Sequence, residues 1–174
     1  MSKTVLVTGP IGSGKSELCR YLASKGYPVY DCDSRTKMLY SLVPGLKCHI
    51  EEALGITWDE IGIIFHDEAK RLLLESIVYP YVLADLRAWK EEQDSDLLVL
   101  ESAIAMDKSQ FDGSYDEVVL VTADYSLRAV RNPKVADRDS IQKFDMSRVD
   151  HVIVNDSTLE DLYSKTDNLL CRLI

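Results

Sequence analysis

The sequence predicts an α/β fold built on a mainly parallel sheet with helices on both faces, and three observations lead there. Apolar runs without polar alternation (4–8, 97–100 and 118–121) mark buried strands, and 151–154 is a last short strand. Between them lie longer stretches whose apolar residues recur at helical spacing. Strands that alternate with helices pair in parallel, because each helical crossover returns the chain to the same end of the sheet.

The elements follow in order. Thr4 to Thr8 is a short buried strand, a glycine-rich turn follows, and a helix carries Leu18, Tyr21 and Leu22 on one face before Gly26 stops it. Pro28-Val29-Tyr30 is a second strand that ends at Asp31 and Asp33. Residues 35–65 hold short helical patterns broken at Pro44, Gly45 and Gly55. A longer helix begins near Asp67 with Ala69, Leu72, Leu73, Ser76 and Ile77 on one face. Pro80 is expected to kink or break it, since proline lacks the amide proton and crowds the preceding turn. A second helical stretch then carries Leu83, Leu86 and Trp89. Leu97 to Leu100, Val118 to Val121 and His151 to Val154 are the remaining strands, which makes five. The polar segment from Leu127 to Arg148 is helical in parts. Ser157 and Glu160 have capping-box spacing and open a last helix that buries Leu159, Leu162, Tyr163, Leu169 and Leu170.

At 174 residues the chain fits one domain with a small insertion or lid: a core at 1–33, 94–126 and 149–174, a helical region at about 34–93, and a lid at about 127–148. The net charge of −9 repels a nucleic-acid backbone, so neither DNA nor RNA is expected as the main partner. Cys19, Cys32, Cys48 and Cys171 form no Cys-x-x-Cys pair and have no histidine at zinc-ligand spacing, so they read as free thiols of a reducing compartment. No apolar run has the length of a signal-peptide core or a membrane span, and the expectation is a cytoplasmic protein, a monomer or small homo-oligomer, with no membrane partner.

The turn after the first strand reads Gly9-Pro10-Ile11-Gly12-Ser13-Gly14-Lys15-Ser16, the pattern G-x-x-x-x-G-K-[ST] between a strand and a helix. Polyphosphate oxygens need several donors at once, and glycines let backbone N–H groups approach where side chains would crowd them out. The helix that starts near Gly14 adds the positive end of its dipole. Lys15 is the cation for the β- and γ-phosphates of ATP, and the Ser16 hydroxyl is a ligand for Mg²⁺. Glu17 follows directly. A GTPase would carry Asn-Lys-x-Asp, which is absent, and a motor ATPase is usually larger, so the chain reads as an ATP-dependent small-molecule kinase with a three-layer P-loop NTPase fold.

Ligands of an open parallel sheet gather outside the carboxyl ends of its strands. Asp31-Cys32-Asp33 stands at one such end and offers carboxylates to orient an acceptor hydroxyl, take its proton or help hold Mg²⁺; the plainer reading is a pair of turn acids with Asp33 as a helix cap. Glu101 ends the strand Leu97 to Leu100, as in a Walker B arrangement near the metal. Between Arg128 and Arg148 six bases (Arg128, Arg131, Lys134, Arg138, Lys143, Arg148) outnumber three acids (Asp137, Asp139, Asp145). That reversal of sign suits a lid that neutralises charge in phosphoryl transfer, and Arg128 and Arg131 share a helix face.

Taken in order, these segments resemble the dephospho-coenzyme A kinase family. Thr8 to Ser16 resembles its T-G-G-I-G-S-G-K-S, with Pro10 at the second glycine, and Pro28-Val29-Tyr30-Asp31-Cys32-Asp33 resembles P-V-x-D-A-D at the same spacing, with Cys32 for alanine. Phe65 to Pro80 is similar to a phenylalanine-led helix that ends in His-Pro, with Tyr79 in place of the histidine. Leu98 to Asp107 resembles the strand and P-L-L-F-E, with Ala103 for proline and Asp107 for glutamate. Arg128, Arg131, Arg138 and Gln142 resemble the lid, and Val149 to Asn155 resembles A-D-x-V-I-x-N. The resemblance implies a nucleoside-monophosphate-kinase-like core and ATP-dependent phosphorylation of the ribose 3′-hydroxyl of dephospho-coenzyme A. It assigns Asp33 to the acceptor hydroxyl, and Arg131 with Arg128 or Arg138 to the transferring phosphoryl group. The altered positions fall on the acceptor side. They leave open a kinase for another small acceptor, such as a nucleoside monophosphate, or a non-catalytic ATP-binding module.

Overall fold

A computed structural model describes residues 2–139 and 144–174. Its elements are β1 (Lys3–Thr8), α1 (Lys15–Ser24), β2 (Val29–Asp31), α2 (Cys32–Leu42), α3 (Leu46–Leu54), α4 (Glu68–Glu91), β3 (Leu97–Glu101), β4 (Glu117–Thr122), α5 (Tyr125–Arg131), α6 (Val135–Asp139), β5 (His151–Val154) and α7 (Leu159–Leu173). A 3₁₀ helix at Trp58–His66 and shorter 3₁₀ turns join them. Gln142 and Lys143 lie outside the described residues. By internal contacts the chain divides into two units, Met1–Asp31 with Gln93–Ile174, and Cys32–Glu92.

The first unit holds the sheet. All of its strands are parallel, in the order β2-β3-β1-β4-β5. The chain leaves β1 toward β2 on one side and later reaches β4 on the other. The carboxyl end of β1 is therefore a switch point, where a crevice forms in open α/β sheets. Strand residues alternate faces. Val5, Val7, Leu97, Val99, Val119, Val121 and Ile153 meet Leu18, Cys19 and Leu22 of α1 and Leu162, Leu169, Leu170 and Leu173 of α7 in one core. Leu6, Leu98 and Leu100 on the alternate positions are equally buried, which explains why these strands show no polar alternation. The cap of α7 is Thr158, whose hydroxyl accepts from the Asp161 amide at 3.2 Å, one residue beyond the expected Ser157. Leu159, the first residue of the helix, is exposed, and Leu173 is buried with Leu162, Leu169 and Leu170.

The second unit is helical. Gly45 and Gly55, both left-handed, bracket α3, and a Thr57–Glu60 capping box starts the 3₁₀ helix. Its core includes Leu39, Leu46, Ile50, Leu54, Leu74, Val78, Val82 and Leu86. Here two expectations need correction. The helix α4 runs unbroken through Pro80, and its buried face is Leu74, Val78, Tyr79, Val82 and Leu86, with Leu72 and Leu73 exposed. One cause explains both. Pro80 lies on the exposed side, so the carbonyl it leaves unpaired can be served by water. Cutting the pattern at the proline hides a stripe that recurs every fourth residue from Leu74 to Leu86.

Candidate active site: the glycine turn at the end of β1

The turn between β1 and α1 is shaped by two glycines above all. At Gly9 (φ +150) a Cβ would come within 2.0 Å of the Val121 carbonyl oxygen, and at Gly14 (φ +101) within 2.3 Å of Asn155 Nδ2. Both positions combine a backbone that side chains rarely adopt with a neighbour that leaves no room for one. Gly14 is also the N-cap of α1 and supplies no side chain to it, so the first amides of that helix have no side-chain cap.

The carbonyls of the turn are held from outside. Arg128 Nη1 donates to Ile11 O at 3.4 Å, Arg131 Nη1 to Gly12 O at 3.3 Å, and Asn155 Nδ2 to Ser13 O at 2.9 Å. In a planar trans peptide the N–H points opposite to the C=O. The amides of Gly12, Ser13 and Gly14 therefore point away from this brace; that of Ser13 returns to Pro10 O at 3.1 Å. The hydroxyls of Thr8 and Ser13 are buried without a hydrogen-bond partner among the described residues. A triphosphate fits this donor set: a glycine-rich turn, an uncapped helix start, orphan hydroxyls and the ammonium group of Lys15, the first residue of α1.

The metal-side residues also come together. Asp31 and Glu101 are register partners on β2 and β3, so their side chains leave the sheet on the same face. Ser16 Oγ donates to Glu101 Oε1 at 2.6 Å. Two carboxylates and a hydroxyl are hard oxygen donors, which suits Mg²⁺ with the remaining positions left to phosphate oxygens and water. Beneath them the Cys19 thiol is pushed well up, first by burial and then by the charge of Glu101 and a hydrogen bond to it. The thiol stays protonated and neutral under the carboxylate.

Other predicted residues are placed as follows. The Glu17 carboxylate accepts from Tyr163 Oη at 2.5 Å and pairs with Arg20, joining α1 to α7 where Tyr21 and Tyr163 stack at 4.2 Å. Arg128 is buried. Its guanidinium forms a fork with Asp139 at 2.5 and 2.9 Å, and its Nε donates to Ala123 O at 3.0 Å. Arg131 is exposed and reaches both Gly12 O and Asn155 O. Arg138 lies half-buried in α6. Arg148, counted with the lid bases, is instead committed to Met106 O at 2.6 Å, Asp112 at 2.6 Å and Tyr115 at 2.9 Å.

In the helical unit Asp33 is an exposed residue in the first turn of α2, which starts at Cys32, so Asp33 is not its cap. Arg35, two residues on, forks onto Asp85 of α4 at 2.6 and 2.8 Å. Tyr79 is buried, and its hydroxyl is pushed far above the usual phenol range by burial and then by Glu75.

Asn155 and Asp139 were not among the predicted site residues. A sequence signal existed for Asn155 only as the end of a motif; its partner Ser13 is 142 positions away.

The AAA domain family matches residues 5–150. The chain is 36% identical over 137 residues to a dephospho-CoA kinase of Porphyromonas gingivalis, covering 74% of this chain and 67% of that relative. It is 31% identical over 194 residues to a dephospho-CoA kinase of Salinibacter ruber, covering 95% of each. The solved structure of TT1252 from Thermus thermophilus matches with a TM-score of 0.82 at 27% identity, over 99% of this chain and 98% of that one. With a glycine-rich turn of the P-loop pattern on the switch point of a parallel sheet and relatives of this identity along most of its length, the chain belongs to the dephospho-CoA kinase family.

Proposed function

We propose that the chain transfers the γ-phosphate of ATP to the ribose 3′-hydroxyl of dephospho-coenzyme A. The observation that carries this reading is the turn Gly9 to Ser16, with its carbonyls held outward at the uncapped start of α1, in a member of this family.

The roles of the residues follow from their chemistry. The turn amides and Lys15 bind the β- and γ-phosphates and hold the donor in line for attack. Ser16, Glu101 and Asp31 would hold Mg²⁺, which when bound neutralises charge on the phosphate oxygens. Asp33 orients the 3′-hydroxyl and accepts its proton. The acceptor oxygen forms a bond to the γ-phosphorus as the bond to the bridging oxygen breaks, ADP leaves with that electron pair, and the proton resides on the Asp33 carboxylate. Arg131 and Arg138 answer the charge spread over the moving group. Arg128, already forked onto Asp139 and donating to Ile11 O, supports the turn.

The test is an acceptor panel with γ-labelled ATP: dephospho-coenzyme A, nucleoside monophosphates and simple sugars. Label is expected in dephospho-coenzyme A, with transfer to every other acceptor lower by about 100-fold or more, the discrimination that hydrogen-bonded sites reach. Preferred transfer to another acceptor, or ATP binding without transfer to any, would overturn the assignment.

A further inference from the structure

We propose that Asn155 is a positioning residue for phosphoryl transfer: its side-chain amide sets the orientation of the peptide groups that receive the triphosphate. The proposal rests on the reading of Gly9 to Ser16 as the triphosphate site.

Asn155 follows the last residue of β5, and its own N–H is fixed to Thr122 O at 2.7 Å, so its backbone is anchored to the sheet. The residue is only 6% exposed. From this anchor Nδ2 reaches Ser13 O at 2.9 Å, while its backbone carbonyl accepts from Arg131 Nη2 at 3.0 Å. The same guanidinium donates to Gly12 O at 3.3 Å. Two consecutive carbonyls of the turn are thus drawn to one side by one linked unit; peptide planarity turns the Ser13 amide onto Pro10 O and the Gly14 amide away from the brace.

The residue type suits the task. A buried carbonyl needs a donor, and a neutral amide gives one without adding a charge. An aspartate of the same shape would set oxygen against oxygen and bring a negative charge to the triphosphate. Gly14 completes the fit, because a Cβ there would overlap Nδ2 at 2.3 Å. The glycine before Lys15 is therefore required twice, for its φ and for the space that Asn155 occupies.

The experiment uses the full chain and two variants, Asn155→Asp and Asn155→Ala, each confirmed folded by far-ultraviolet circular dichroism. Binding of ATP and of inorganic tripolyphosphate is titrated by calorimetry with Mg²⁺ present, and KM is measured separately for ATP and dephospho-coenzyme A. The expected result is a loss of about tenfold or more in affinity for both ATP and tripolyphosphate, larger for Asp than for Ala, with KM for dephospho-coenzyme A changed by less than about twofold. A residue that only supports the fold would lower the unfolding temperature and leave both affinities of the folded protein unchanged, and that result overturns the proposal. Loss of ATP affinity with tripolyphosphate affinity retained overturns it too, since the effect would then lie at the base or sugar. If the unaltered chain binds neither probe, the triphosphate reading itself fails.

Discussion

The glycine turn and the helical unit were built under different rules. In the turn, identity follows from the immediate surroundings: Gly9 lies against a carbonyl of β4, Gly14 against Asn155, and Lys15 opens a helix with no side-chain cap. In the unit Cys32–Glu92, identity is loosely constrained. Its core is aliphatic, its helices are joined by Gly45 and Gly55, and its longest helix tolerates a proline on the exposed side. A region that must present backbone amides to a ligand can be specified by a short string. Helices that need only a common apolar stripe can be written in many ways. Of the departures from the family pattern, Tyr79 falls in the second region, while Ala103 and Asp107 lie in the sheet unit outside the glycine turn.

Five changes test that contrast, in order of expected size. Lys15→Ala should lower kcat/KM on the order of 1,000-fold, the scale of losing a donor aimed at developing charge, with little change in unfolding temperature. Steady-state kinetics beside a thermal melt checks it. Asp33→Asn should lower kcat by about 100-fold or more and leave ATP affinity within about twofold, as a lost proton acceptor would. An equal fall in both would assign Asp33 to donor binding.

The next two changes concern the helices alone. Removing either member of the Arg35–Asp85 fork should cost about 1–2 kcal/mol, because the pair is bidentate and only partly exposed, at 34% and 19%. A double-mutant cycle measures the coupling, and strict additivity would show that the two residues do not interact. Pro80→Ala should stabilise by up to about 1 kcal/mol, since it restores a helix amide in a helix that is already continuous. Chemical denaturation reads this, and destabilisation would mean that the proline shapes the helix.

The smallest effect is electrostatic. The Arg128 guanidinium holds the Asp139 carboxyl below its ordinary value of 3.8. The resulting stability is complete above that value and is lost as pH falls through the lower folded value. Arg128 is nearly buried but Asp139 is about a third exposed, so the contribution should be below about 1 kcal/mol. Asp139→Asn and the unaltered chain should differ by that amount at neutral pH and converge in strong acid. A constant gap would place the effect elsewhere.

What the sequence made legible follows the same division. Strands β1, β3 and β4 could be read because burial on both faces removes polar alternation, whereas β5, with Val152 and Val154 exposed, could be read only from its short β-branched run. The turn could be read because Gly9 and Gly14 leave no room for a side chain. The face of α4 could not be read, since the proline broke a pattern that the helix continues, and the exposed pair Leu72 and Leu73 completes a plausible stripe on the wrong side. The brace was hidden for another reason. Asn155 acts through a contact across 142 positions, and such pairings become visible only when β5 lies beside β4. Likewise the charge count from Arg128 to Arg148 suggested a lid and could not tell which bases are already committed within the fold. The structure shows that Arg128 and Arg148 hold carboxylates and carbonyls in separate places.

The most direct measurement is ³¹P NMR of the product formed from ATP, Mg²⁺ and dephospho-coenzyme A, run beside a 3′-deoxy analogue of the acceptor. A new phosphomonoester signal coupled to the ribose 3′ proton is expected, absent with the analogue and absent with Lys15→Ala. A signal that persists with the 3′-deoxy analogue, or phosphate appearing only as the free ion, would contradict it.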